Sequence, residues 1–333
     1  MNEEMYKKLN SYLNDFFVKA QKNDPIFIDE IYNFCKLSDL IMNEFNGMFK
    51  KEKSQENNLT FNDVYINARE IISSIDTKYL SKYDQILQNG ILDFSYEKEY
   101  FDSHYCYFYN QTNNIIFNEI NINRFFDYTD ISTLVHEFFH YTNGDCIPSH
   151  NRRFLTEFIS IYFEEYAKKY LMKEKKLASK DVLLNDRIID FLVINKKFNS
   201  FCLILLAYEK LGNLSSNTPN EMKEILNIYD ATFENECLKL VEKIDSSNDS
   251  LDFYNYLTRQ YKYLVGTILA YYALEHCDIK DIIKLNDSLN DPKYVEKNIY
   301  ELLELYGIEF DDNLIYESID IMKKVLNSDN LKK

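Results

Sequence analysis

Tight turns and phosphate-cradling loops draw on glycine and proline, and this chain of 333 residues has only six of the first and four of the second. A β-sandwich or a phosphate-binding α/β fold needs many such turns, so the sequence is steered toward long helices joined by polar loops. Hydrophobic residues make up 46% of the chain and include 28 Tyr and 24 Phe, enough to fill one large core or two smaller ones. Helical texture runs from residue 4 to about 95, broken at "KNDP" (22–25) and "KKEKSQENN" (50–58). The stretch "SHYCYFYNQTNNIIFNEINI" (103–122) differs, because two β-rich runs flank the turn-forming "NQTNN" (110–114). That pattern predicts a β-hairpin, the one strong strand signal in the chain. From Asp130 onward helices return, with breaks near 143–151, 174–182, 211–220, 246–250 and 277–280. The expected fold is therefore mainly α (α+β), with a helical N-terminal region over 1–95 and a second, mostly helical region over 96–333.

The segment "LVHEFFHYTNGD" (134–145) holds His-Glu-x-x-His. Its helix is expected to start at Thr129 or Asp130 as N-cap and to stop at Asn143-Gly144. At about 100° per residue, Ile131, Leu134, Val135 and Phe138 share one stripe, while His136 and His140 fall together on the opposite side with Glu137 beside them. Two imidazoles one turn apart can grip one ion, and the adjacent carboxylate can reach a water on it. The plain alternative is the polar face of a surface helix. With five histidines in the chain, chance produces this pattern about once in a hundred such sequences, and the apolar stripe lies elsewhere.

A catalytic zinc ion needs a third protein ligand and one open position. In "RRFLTEFISIYFEEY" (152–166), Glu157, Ser160 and Glu164 share a face opposite Leu155, Phe158, Ile159, Tyr162 and Tyr166. Glu157 is the candidate ligand; the alternative is a solvated face shared with Arg153 and Lys168. The upstream hairpin offers an edge on which an extended peptide could add as a strand.

HExxH followed by a helix reading "FLTEFISIYFE" resembles the oligoendopeptidase F and thimet oligopeptidase family of zinc peptidases, of the gluzincin type. In that family the second helix carries the glutamate ligand in an E-x-x-S-x-x-x-E setting, which Glu157, Ser160 and Glu164 match position by position. "NNIIFNEINI" and "DISTLVHE" are similar to the family's strand and its approach to the motif helix, and "YKYLVGTILAYYALE" (261–275) to its tyrosine-rich helix. The resemblance covers roughly residues 100–333 and is specific around 131–164. It implies one Zn²⁺ held by His136, His140 and Glu157, with Glu137 as general base. It further implies Ser160 and Glu164 orienting a ligand imidazole, and Tyr261, with Tyr254 one heptad before it, steadying the oxyanion.

This chain departs from the family pattern in four places. Phe139 stands where the family usually has glycine. The step from His140 to Glu157 is shorter than the family's, which keeps Glu164 and Glu165 as alternative third ligands. The family's substrate-binding histidine has no counterpart in "NDSLDFYNYLTRQYKY" (248–263), leaving His104 and His150 as candidates for its place, while His276 falls near a helix end. The chain is also about half the usual length, so much of the N-terminal lobe that encloses the family's substrate channel is expected to be missing or reduced.

The formal charge of −16 argues against nucleic acid and anionic membranes as partners. Six scattered cysteines without a C-x-x-C pair read as reduced thiols. The N-terminus lacks a signal-peptide pattern, and the longest apolar run, "FCLILLAY" (201–208), is too short to span a bilayer. The expectation is a cytoplasmic zinc metalloendopeptidase, oligopeptidase-like, acting on short or unfolded peptides. The alternatives are a catalytically impaired zinc- or peptide-binding module, a protease dedicated to leader or signal peptides, and a helical interaction protein with an accidental motif. The sequence leaves the oligomeric state open.

Overall fold

A computed structural model of the chain describes residues 2–23, 27–45, 57–95, 103–109, 115–143, 153–226, 232–246, 253–289, 291–294, 297 and 299–328. In chain order these form helices α1 (Glu3–Asn23), α2 (Phe27–Glu44), α3 (Phe61–Ile75) and α4 (Leu80–Gln88). Strands β1 (Leu92–Asp93), β2 (His104–Tyr109) and β3 (Ile115–Asn121) follow. The rest is helical: α5 (Thr129–Thr142), α6 (Arg153–Glu174), α7 (Asp186–Leu211), α8 (Thr218–Glu221), α9 (Phe233–Ser246), α10 (Phe253–His276), α11 (Ile279–Ser288), α12 (Ile299–Glu304) and α13 (Asp312–Ser328). The protein is thus mainly helical with one small sheet, as its scarce glycine and proline require.

β2 and β3 form the expected antiparallel hairpin, with His104 opposite Asn121, Cys106 opposite Glu119 and a register shift at Phe108/Tyr109. Its turn, 110–114, lies outside the described residues. β1 joins the other edge of β3 in parallel, with Leu92 opposite Ile120. A two-residue strand is too short to show a period of two, so no local pattern marks it.

The chain forms two compact units. One comprises Met1–Gly47 and Asp190–Leu264, the other Met48–Ile189 and Val265–Lys333. Among its described residues the first has helices and no strand, with Leu9, Leu13, Phe16, Ile31, Phe34, Phe198, Leu257 and Tyr261 buried in its core. Its polar ties satisfy backbone groups: the Asn10 amide both donates to the carbonyl and accepts from the N–H of Leu214, each at 2.9 Å.

In the second unit α5 packs against α6, α3 and the sheet. Ile131, Leu134, Val135 and Phe138 are fully buried, as the stripe predicts. Burial extends around the helix, however, to Asp130, Ser132, His136 and Glu137. The surface-helix alternative therefore does not describe α5. Its N-cap also differs from the expectation: the cap position is Tyr128, without a side-chain cap bond. Asp127 instead accepts the Thr129 N–H at 2.8 Å, and Asp130 turns back to accept the N–H groups of Phe125 and Phe126 at 2.8 and 3.1 Å. Asp127 thus takes one of the free donors at the helix start, while Asp130 holds the preceding loop against the first turn.

Among the cysteines expected as reduced thiols, Cys237 and Cys277 form no disulfide. Cys202 is disulfide-bonded, which corrects that expectation; scattered spacing along the chain does not report which sulfurs approach in space. No described helix is long and apolar enough to cross a membrane.

Candidate metal centre

Helices α5 and α6 are held together by aromatic packing. The ring of Phe139 stacks on Phe163 with centroids 3.8 Å apart and meets Tyr79 edge-on at 5.4 Å, with no exposed surface. Phe139 therefore occupies a packing position between the two helices, on the side away from the ion-binding groups. The C-terminal end of α5 is also tied down. Lys82 donates to the Thr142 carbonyl at 3.1 Å, a cation at the negative end of the helix. The Asn143 amide donates to the Phe139 carbonyl at 3.1 Å and to Asn286 at 2.8 Å.

This packing turns the polar face of α5 onto the polar face of α6. His136 Nε2 lies 3.1 Å from His140 Nε2. Glu157 Oε2 lies 3.8 Å from the first and 3.6 Å from the second. His136 and Glu157 are buried and His140 is half-buried, which leaves the cluster open on the His140 side. Zinc bonds of about 2.0–2.1 Å in a tetrahedron put neighbouring donors about 3.3–3.4 Å apart. The three separations bracket that value, and two imidazole nitrogens with one carboxylate oxygen form a donor set suited to zinc. The residues fit the ion. Glu137, the residue after the first imidazole, is 5% exposed.

The structure also separates the three candidate glutamates of α6. Glu157 enters the cluster. Glu164 stands behind it, its Oε2 2.9 Å from His136 Nδ1, with Arg187 bonded to the same oxygen and Lys168 3.2 Å from the other. Glu165 turns away, taking Lys168 at 2.7 Å and the Tyr271 hydroxyl at 3.0 Å. Lys168 is 2% exposed, so the solvated-face alternative fails at that residue. Ser160 is fully buried on the same helix. Burial acts to raise the Glu164 carboxyl, but Arg187, Lys168 and His136 together hold it well below the usual carboxylate range. For His136, burial acts to lower the imidazole, yet the Glu164 hydrogen bond and the charges of Glu137 and Glu164 raise it above its ordinary value.

Sequence reasoning missed Arg187, Tyr271 and Gly266. A Cβ on Gly266 of α10 would lie 3.0 Å from the Phe158 backbone nitrogen and 3.1 Å from Glu157 Cβ. Glycine there lets α10 pass close against the turn of α6 that carries Glu157. None of the three sits near the motif in sequence, and the only local signal was the i, i+3 and i, i+4 spacing of Lys168 with Glu165 and Glu164.

Tyr261 and Tyr254 belong to the first unit, where Tyr261 packs on Phe34 and Phe198 and Tyr254 on Phe16. His104 is exposed on β2, its Nε2 3.4 Å from the Asn121 amide. His276 stacks on Tyr272 and lies 3.3 Å from Glu317. His150 lies outside the described residues.

No family model matches the sequence, and no curated protein matches it. Among solved structures, "PZ peptidase A with inhibitor 2" is similar at 13% identity and a TM-score of 0.46, over 98% of this chain and 59% of that one. The chain thus spans about three fifths of the length of that structure.

Proposed function

We propose that this chain is a zinc-dependent endopeptidase that hydrolyses peptide bonds in short or unfolded peptides. The observation that carries the reading is the spacing of His136 Nε2, His140 Nε2 and Glu157 Oε2, 3.1 to 3.8 Å apart on two packed helices, with Glu137 directly after the first ligand. A zinc ion held there supplies a Lewis acid that acidifies water and polarises a carbonyl. Glu137 takes the proton of the attacking water on its carboxylate and passes it to the nitrogen of the departing amine, so the C–N bond breaks to a neutral leaving group. Glu164 Oε2 lies 2.9 Å from His136 Nδ1, where its charge favours a proton on that nitrogen and leaves the Nε2 lone pair to the cluster. Phe139, whose place in the motif suggests impairment, is accounted for by its stack on Phe163, which favours a working site over a silent one.

The test is mass-spectrometric profiling of a mixed peptide library with the zinc-loaded protein and its Glu137→Gln variant. The expected result is cleavage by the parent alone, with zinc bound equally by both. A Glu137→Gln protein that cuts as fast as the parent, or a parent that binds no zinc, would remove the proposal. Cleavage in a single sequence context would narrow it to a dedicated processing protease.

A further inference from the structure

Behind the candidate metal centre lies a chain of buried and half-buried charges that its chemistry does not directly use. An ionised carboxylate only accepts hydrogen bonds. With Glu164 Oε2 2.9 Å from His136 Nδ1, its negative charge favours the hydrogen of the neutral ring on Nδ1, which leaves Nε2 as the electron-pair donor. This holds only while Glu164 stays charged and cannot rotate. Each of its oxygens is pinned by a different cation, Oε2 by Arg187 at the start of α7 and Oε1 by Lys168 one turn along α6. Lys168 is itself held by Glu165, and Glu165 by the Tyr271 hydroxyl of α10. Glu164, Glu165, Lys168 and Arg187 carry two negative and two positive charges. Burial of such groups is tolerated only when they are paired.

We propose that Arg187 and Lys168 are positioning residues of the metal centre: they lock the Glu164 carboxylate, which fixes the orientation and tautomer of His136 and so sets the affinity for zinc. The affinity arm rests on the reading of the cluster as a metal site; the tautomer arm does not. A purely structural ion pair would join α6 to α7 and leave the imidazole unaffected.

The experiment uses the full chain and the variants Arg187→Gln, Lys168→Gln and Arg187→Lys. Long-range ¹H–¹⁵N spectra of the metal-free protein report the His136 tautomer, and competition with a chromogenic chelator reports the Kd for zinc. The wild type is expected to show one Nδ1–H tautomer. Each glutamine variant should show mixed tautomers and zinc binding weakened by about 10- to 100-fold, with Arg187→Lys recovering most of both. Folded glutamine variants that keep the single tautomer, with Kd within about twofold of wild type rather than the loss expected of an outer-shell partner, would overturn the proposal. Should neither fold, the double variant Glu164→Met/Arg187→Met removes opposite charges together and leaves no lone buried charge. An unchanged His136 tautomer in that protein overturns the proposal, and a mixed one supports it. A wild type that binds no zinc would remove the metal reading, while the metal-free spectra would still decide the tautomer lock.

Discussion

Gly266 offers a test in which stability and metal affinity should move for one geometric reason. A methyl group added there meets the Phe158 nitrogen at 3.0 Å, Glu157 Cβ at 3.1 Å and the Glu157 carbonyl carbon at 3.3 Å. Ordinary contact begins at 3.4 Å, so α10 and α6 must part by 3.4 − 3.0 = 0.4 Å at this point. The obstructing atoms are backbone and Cβ, which no side-chain rotation can remove. Replacing a mid-helix glycine with alanine gains about 1 kcal/mol of helix propensity. Overpacking costs about 1–3 kcal/mol, so Gly266→Ala should be destabilised by about 0–2 kcal/mol in urea unfolding of the metal-free protein. The larger signal is expected at Glu157, whose carboxylate already stands 3.6 and 3.8 Å from the two imidazoles. Metal ligands tolerate errors of about 0.2 Å, so zinc affinity should fall on the order of tenfold, a loss typical of disturbed ligand support. A variant about 1 kcal/mol more stable than wild type, as simple helix propensity predicts, with an unchanged Kd for zinc, would refute the argument that Gly266 seats Glu157.

Two further outcomes follow from the packing and the buried charges of α5. Phe139→Ala should lose about 3–5 kcal/mol, because it deletes a fully buried ring stacked at 3.8 Å on Phe163; a loss below about 1 kcal/mol in the urea midpoint would mean the α5–α6 interface does not rest on this pair. Burial pushes the Asp130 carboxyl up to about 6 and Asp127 adds to the shift, against the opposing N–H groups of Phe125 and Phe126 and the charge of Arg124. A carboxyl that binds its proton more tightly when folded favours folding at low pH and loses that contribution between its ordinary value of 3.8 and about 6. Wild-type stability should therefore fall across this window relative to Asp130→Asn, by on the order of 3 kcal/mol. Parallel stability-against-pH curves for the two proteins would contradict it.

How far the sequence could be read depended on whether a signal was local. His136, Glu137 and His140 lie within one helical turn, so spacing alone brought them to one face; Glu157 followed because its helix has a polar face of its own. Periodicity also located the hairpin and the helix breaks near 174–182, 211–220 and 277–280, since each depends on neighbouring residues. It could not show that the two polar faces meet, because apolar stripes look the same whether the other side faces water or a second buried polar face. Lys168 illustrates the gap: its i, i+3 and i, i+4 spacing to Glu165 and Glu164 is that of an ordinary surface pair, and only its 2% exposure reveals a buried one. Arg187 comes from another helix and Gly266 from a third, where nothing in the local pattern points to α6. The two units were hidden for a related reason. The boundaries at 189/190 and 264/265 fall inside α7 and α10, and a helix that runs on carries no linker composition.

Phe139 shows the same limit from the opposite side. In the motif it stands where the resembled family has glycine, and a large ring beside a ligand histidine invites the idea of a blocked site. The coordinates direct that ring to Phe163 and Tyr79, in the interface that brings His136 and His140 to Glu157. A glycine at the same position would leave a hole between α5 and α6 and remove the contact that sets their approach. In this chain the departure from the motif thus supports the ligand geometry, which is why the stability of Phe139→Ala and its affinity for zinc should fall together.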